Sequence, residues 1–285
     1  KLQKQLAALL GDQTGSIVLT DVAAEGVDFV CREGFYVYNT GDGYAAGNSD
    51  FVVVEGAVAA VEDTAYATLQ EALAAAEGGT VVLLADIDGS ASNGGEMISL
   101  AEDITLDLNG HTITERGYTI AIRVNGADVT LTSSNGMGRI DAIAYGISIR
   151  AGANVTVSNI NITANHLVTG SGVVCDGRAV EIADSTAVFT NVTTTTNARN
   201  VSTASVGWFV TGSDVTVNDS TITINYSLSE ESAALANPPQ GHAIQVVSSD
   251  LALNGTDIIS SDYGVAVFGS TMIGDAAAAD SADAF

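Results

Sequence analysis

The chain has 285 residues, enough for one large domain with a smaller attachment. It carries 34 acidic against 9 basic residues, a formal net charge of −25, so a phosphate backbone or an anionic membrane surface would be repelled and we expect no nucleic-acid partner. Aromatic residues are 6% of the chain, against 46% hydrophobic overall, and there are 30 Gly and 2 Pro; this suits many short strands joined by tight turns.

Residues Lys1 to Leu10 read as a short helix, with Leu2, Leu6, Leu9 and Leu10 at helical spacing and Gly11 ending the run. Without an initiator Met, and with what reads as an unfinished repeat at its end, the sequence is expected to be a fragment or a processed form. Short apolar pieces follow at Ile17–Leu19, Val27–Val30 and Phe35–Tyr38, and then a pair of strands at Phe51–Val54 and Ala57–Val61. Residues 1–60 are read as a small N-terminal α/β module, or the tail of a preceding one. Cys31 and Cys175 are too few for a structural zinc site; they form one disulfide or stay apart as buried thiols.

Thr68-Leu-Gln-Glu71 has the spacing of a capping box, and Leu69, Ala72, Leu73 and Ala76 share one helical face that stops at Gly78-Gly79. A helix over 68–77, placed just before a repeat region, is expected to cover the first open coil of that region. No apolar run of about 18 residues occurs, so no membrane insertion is expected within this segment.

From Thr80 onward the sequence repeats. Leading strands begin at Ile104, Val129, Val155, Ala187, Val215, Leu251 and, as a weaker copy, Thr271, with first and third residues mostly apolar and the second mostly polar. A turn carrying Asn109, Asn159, Asn191, Asp219 or Asn254 usually follows, and then a second strand marked by Ile113, Ile162, Ile222 or Ile258. A third strand closes each unit at Ile120–Ile122, Ile147–Ile149, Val180–Ile182, Trp208–Val210, Ile244–Val246 and Val265–Val267. Units recur every roughly 20 to 36 residues, the range of solenoid repeats. Three one-sided strands per unit wind most simply into an all-β, right-handed parallel β-helix over 61–285. A β-sandwich is the alternative, and it leaves the register of the leading strands unexplained.

The residues Asp103, Asp128, Asn154, Thr186, Asp214, Asp250 and Ser270 precede the leading strands and should stack at one corner. They read as a turn ladder. The other reading is calcium, the one cofactor the sequence suggests, because stacked carboxylates repel unless screened. The outward column Thr105, Thr130, Thr156 and Thr216 resembles an ordered threonine rank, but Val188, Ala252 and Met272 interrupt it, which argues against ice binding.

The run Tyr66–Ala76, then Gly79–Asp86, then Ile104-Thr-Leu-Asp-Leu-Asn-Gly-His-Thr-Ile-Thr114 resembles the start of pectate-lyase-like right-handed β-helix domains in bacterial cell-surface proteins. The resemblance spans about Ala65 to Phe285. It implies an extracellular setting and a superfamily that holds polysaccharide lyases, polygalacturonase-like hydrolases, tailspikes and non-catalytic adhesins. A lyase needs a basic general base and calcium-holding carboxylates, yet this region has no Lys and its arginines are scattered. No Asp-Asp pair of a polygalacturonase-like hydrolase is present. His111 reads as part of a repeat turn.

Insertions at Asn165–Asp176, Asn197–Val206 and Asn225–Gln240 fall between the second and third strands of successive units and should project side by side. They bring His166, Arg199, Tyr226, Glu230 and Glu231 toward Arg178, Trp208 and His242. Aromatic rings among polar groups suit sugar faces. We therefore expect His166, Arg178, Arg199, Trp208, Tyr226 and His242 to hold a host or microbial glycan or surface protein, with no catalytic residue assigned; a polysaccharide lyase or glycoside hydrolase is the alternative. Trp208 also has a second reading, as a core residue.

Overall fold

A computed structural model describes residues 17–23, 35–39, 48–55, 57–62, 64–89, 95–116, 120–165, 167–168, 174–175, 177–200, 205–228, 233 and 240–274. The expected helix at Lys1–Leu10, the strand at Val27–Val30 and Cys31 lie outside these residues. The chain divides into two compact units, Lys1–Asp86 and Ile87–Phe285.

In the first unit, Asn48–Glu55 is the centre of an antiparallel three-stranded sheet, flanked by Ile17–Ala23 and Phe35–Asn39. Both expected strands form, as Asn48–Glu55 and Ala59–Val61, and Ala59–Val61 pairs antiparallel with Thr64–Tyr66 and Thr80–Leu83. The capping box forms as expected. Thr68 Oγ1 accepts from the Glu71 amide, and the Glu71 carboxylate accepts from the Thr68 amide, both at 3.2 Å, at the start of the helix Leu69–Ala75.

The second unit is all-β, and each complete repeat contributes one segment to each of three parallel rows. The leading row runs Ile104–Asp107, Asp128–Thr132, the start of Asn154–Asn165, the start of Thr186–Asn200, Asp214–Asn218, Asp250–Asn254 and Thr271–Gly274. The second row runs from Ile87–Gly89 through Thr112–Glu115 and Gly138–Ala142 to Thr221–Leu228 and Asp257–Ser260. The third row is a seven-stranded parallel sheet: Glu96–Leu100, Ile120–Asn125, Tyr145–Arg150, Arg178–Ala183, Ser205–Thr211, Gly241–Val247 and Tyr263–Phe268. Strands one repeat apart in sequence are hydrogen-bonded neighbours, an arrangement that fits a β-helix-like solenoid.

The apolar triplets set this stacking. Ile104, Val129, Val155, Ala187, Val215 and Leu251 form one inward column, and Leu106, Leu131, Val157, Phe189, Val217 and Leu253 another; all are buried. Each Val, Ile, Leu or Phe among them stabilises the stack by about 1.5–3 kcal/mol relative to exposure. The last unit is shifted by one from the sequence reading. Met272, not Thr271, pairs with Leu251, so Thr271 rather than Ser270 continues the corner column and Ile273 rather than Met272 follows Ala252.

The turns also follow the sequence, with one exception. Asn109, Asn159, Asn191 and Asp219 all adopt positive φ, a conformation Asn and Asp tolerate. In the next turn Gly255 takes that position (φ 55°), and Asn254 ends the strand before it. Asn side chains bridge adjacent layers: Asn191 Nδ2 donates to Asn159 Oδ1 at 2.8 Å and Asn254 Nδ2 to Asn218 Oδ1 at 2.9 Å.

The third row departs from strict alternation. Ala121, Ala179 and Ala243 are fully buried, as are the apolar residues that directly follow them, so two adjacent side chains face inward in each strand. Only small residues fit first. A Cβ on Gly146 would lie 2.6 Å from the Ala179 carbonyl oxygen, and one on Gly207 2.8 Å from that of Ala243. This break carries the residue before the pair, Tyr145, Arg178 or His242, to the outer face. It also corrects the reading of Ile120–Ile122 as an aligned triplet, since Ile122 pairs with Ile147 and Ile120 with Tyr145.

Candidate functional site

The outer face of the third row gathers the polar chemistry. Pairing puts Tyr145 beside Arg178 in one register and Ser148, Glu181, Phe209 and Gln245 side by side in another. Arg178 lies with its guanidinium carbon 5.3 Å from the Tyr145 ring centroid and 4.9 Å from that of Phe209. Its Nη1 donates to Glu181 Oε1 at 2.9 Å. Arg150 Nη2 donates to the other oxygen, Glu181 Oε2, which also accepts from Ser148 Oγ at 3.2 Å. Arg150 Nε donates in turn to Ser148 Oγ at 3.1 Å.

Burial alone would raise the Glu181 carboxyl, but the Arg150 hydrogen bond and the charges of Arg178 and Arg150 outweigh it and hold the group below its ordinary value. An ionised, doubly paired carboxylate is a positioning group for the two arginines. It is a poor general acid at neutral pH.

Two layers from Arg178, His242 occupies the corresponding strand position, as the sequence placed it, opposite Val206 on one side and Tyr263 on the other. The His242 and Tyr263 rings are 5.5 Å apart at 41°. Burial pushes the His242 pKa down, partly offset by the charge of Asp262, and its buried Nδ1 has no hydrogen-bond partner. Tyr263 is 40% exposed, and its hydroxyl is 3.1 Å from Gln240 Nε2.

Trp208 does not belong to this face. It is fully buried, its ring centroid is 4.6 Å from that of Phe189, and its Nε1 donates to Thr194 Oγ1 at 2.8 Å. The ligand-facing expectation for Trp208 is therefore corrected to the core one. Tyr226 is half-buried, its amide donates to Ser261 Oγ at 2.7 Å, and its ring lies over Gly241. The backbone of Arg199 pairs with Ser227 at the end of the second row, but its side chain, like His166, Glu230 and Glu231, lies outside the described residues.

The second-row strands that lead into the three insertions end at Asn165, Asn200 and Leu228, so the last two run on, paired, for three residues past Asn197 and Asn225. Asn165, Asn197 and Asn225 pair in register, and their amides form a ladder, Asn197 Nδ2 to Asn165 Oδ1 and Asn225 Nδ2 to Asn197 Oδ1, each at 2.9 Å. Within the first insertion, Leu167–Val168 pairs antiparallel with Val174–Cys175.

Sequence reasoning missed Arg150, Glu181, Tyr145 and Phe209. The signal was present: Glu181 and Phe209 are the middle residues of third-strand triplets, which period two sends outward, and Arg178 sits three residues before Glu181.

A concavity of about 340 Å³ lies at the corner between the third and leading rows, lined by Ser213, Asp214, Ser249, Asp250, Ser270 and Thr271. Its serines are committed to a ladder. The amides of Ser185, Ser213 and Ser249 donate to the hydroxyls of Ser213, Ser249 and Ser270 at 3.0–3.1 Å, and each hydroxyl donates to a carbonyl two residues back. In the acidic column beside it, Asp103 Oδ1 accepts from the Asp128 amide at 2.8 Å. Among the described residues no group of three or more His, Cys, Asp or Glu is placed to hold a metal ion.

Comparison with known proteins gives no family: no protein-family model, curated protein or solved structure matches the chain. Among the described residues, no helix is long and apolar enough to cross a membrane.

Proposed function

We propose that residues 87–285 are a right-handed β-helix module of an extracellular, bacterial cell-surface protein, which serves as an adhesin or stalk and binds without catalysis. Its ligand is a glycan or surface protein, held on the outer face of the third row beside the three insertions. One observation carries this reading: the aromatic and charged residues Tyr145, Arg178, Phe209, His242 and Tyr263 occupy consecutive layers of one parallel sheet. A ligand lying along the stack meets a new set of side chains every roughly 4.8 Å. Rings beside hydrogen-bonding groups suit the apolar faces and hydroxyls of sugars.

The chemistry of the face supports binding over turnover. Its one low-lying carboxylate, Glu181, is spent on Arg150, Arg178 and Ser148. The test is incubation with polyuronates and mucin-type glycans, with and without calcium. Retention on a glycan array without product formation is the expected result, and turnover of any member of the panel would overturn the non-catalytic reading.

A further inference from the structure

In a chain with 34 acidic and 9 basic residues, Arg123, Arg150 and Arg178 stand on the outer face of three consecutive strands of one sheet. Two carboxylates face them: Glu96, 3.7 Å from Arg123, and Glu181, shared by Arg150 and Arg178. Among the described residues, three guanidinium groups against the two carboxylates paired with them leave one positive charge in excess, on a molecule whose formal net charge is −25.

The donors of these arginines are largely unspent. A guanidinium offers five N–H groups in a planar fork. Arg178 uses Nη1, and Arg150 uses Nε and Nη2. Arg123 makes no hydrogen bond among the described residues; its buried Nε lies 3.7 Å from Glu96 Oε2, an ion pair without a hydrogen bond. Arg178 is also immobilised, clamped by Glu181 and by the rings of Tyr145 and Phe209, so little side-chain freedom remains to be lost on binding.

We infer that Arg150 and Arg178 form a subsite for a single anionic group, a carboxylate or a sulfate, on an otherwise neutral sugar chain. The inference rests on the glycan-binding reading above and names its ligand class. The bidentate fork matches either anion, and a charge-assisted hydrogen bond is about twice as strong as a neutral one. The rest of the chain continues along the stack over Phe209 and Gln245 to His242 and Tyr263. From the Arg178 strand to the Tyr263 strand is three layers, roughly 14 Å. The excess of one charge also sets an upper limit: a polyanion would meet the negative field of the whole molecule beyond the subsite. Glu181 occupies part of each fork, so it both positions the arginines and competes with the ligand anion.

The experiment is a glycan array carrying neutral, sialylated, singly sulfated and polyuronic members, probed with the purified chain and with Glu181→Gln and Arg178→Gln variants whose circular dichroism matches the parent. Sialylated or singly sulfated members should bind at least tenfold better than their neutral parents and better than polyuronates, with affinity falling as salt rises. The sialylated and sulfated arms tell which anion is taken. Glu181→Gln should raise affinity for the charged members roughly fivefold to tenfold by freeing both forks, a gain that a folding defect cannot produce. Arg178→Gln should abolish the preference for charged members. Equal binding of neutral and charged members, preference for polyuronates, or no gain in Glu181→Gln would overturn this inference while the glycan reading stands. No binding to any member would overturn both.

Discussion

Trp208 and Thr194 are bonded to each other inside the stack: the indole Nε1 donates to the threonine Oγ1 at 2.8 Å, and neither residue has exposed surface. Thr194 breaks an otherwise isoleucine column, Ile113, Ile140, Ile162, then Ile222 and Ile258. The break has a cause. An indole cannot be buried without an acceptor, and the facing strand supplies one. Thr194→Val keeps the shape and deletes the acceptor, so the variant should lose about 1–3 kcal/mol of stability in urea denaturation. In a Trp208→Phe background the same substitution should cost much less. Equal costs in the two backgrounds would show that the bond is not the reason for Thr194.

The serine ladder makes a second prediction. Ser213 Oγ accepts from the buried amide of Ser185 and donates to the Thr211 carbonyl. Ser213→Ala strands that amide and should destabilise by about 1–3 kcal/mol, whereas Ser99→Ala, at an exposed position, should stay within about 0.5 kcal/mol. Chemical denaturation of the two variants beside the parent checks the contrast.

Glu181 gives a pH dependence whose sign is fixed by its lowered pKa. Below the unfolded value of 4.5 the unfolded chain takes up the proton first, so stability from this group is present above pH 4.5 and drains away as pH falls through the folded value. The stability gap between the parent and Glu181→Gln should therefore be widest near neutral pH and shrink in acid. A gap that stays constant from pH 7 to pH 3 would rule this out.

His242 shifts downward as well, chiefly through burial. The NMR titration midpoint of its imidazole should lie below 6.5, and Tyr263→Ala, which uncovers the ring, should move it up. The sign for stability follows. As pH falls from 6.5 toward the folded midpoint, the unfolded state protonates first, so stability drops there relative to a His242→Gln variant. A midpoint at or above 6.5 would contradict this packing.

Much of the architecture was written in short-range pattern. The leading strands from Ile104 to Leu251 pair in the register their triplets predict, and four of the five turns take positive φ at the Asn or Asp named for them. The misreadings were local as well. Ile120-Ala-Ile122 has the look of alternation, and Thr271 that of a strand start, but each sits off the register of its neighbours.

The site was legible only in part. Arg178 and His242 could be assigned equivalent positions because each precedes a recognisable apolar triplet. Their partners could not be read. Arg150 meets Glu181 from 31 residues away, and Thr194 meets Trp208 from the row that faces it. The sequence by itself determined which residues face inward and where the chain turns, because both follow from the two-residue period of a strand and the backbone tolerance of Asn and Gly. Only the tertiary structure decided that Arg150 and Arg178 meet at Glu181 on one face and that Thr194 is the acceptor for Trp208. Arg178 reaches that face because the inward pair Ala179 and Val180 breaks alternation in its strand, and the partners it meets there come from other layers of the stack.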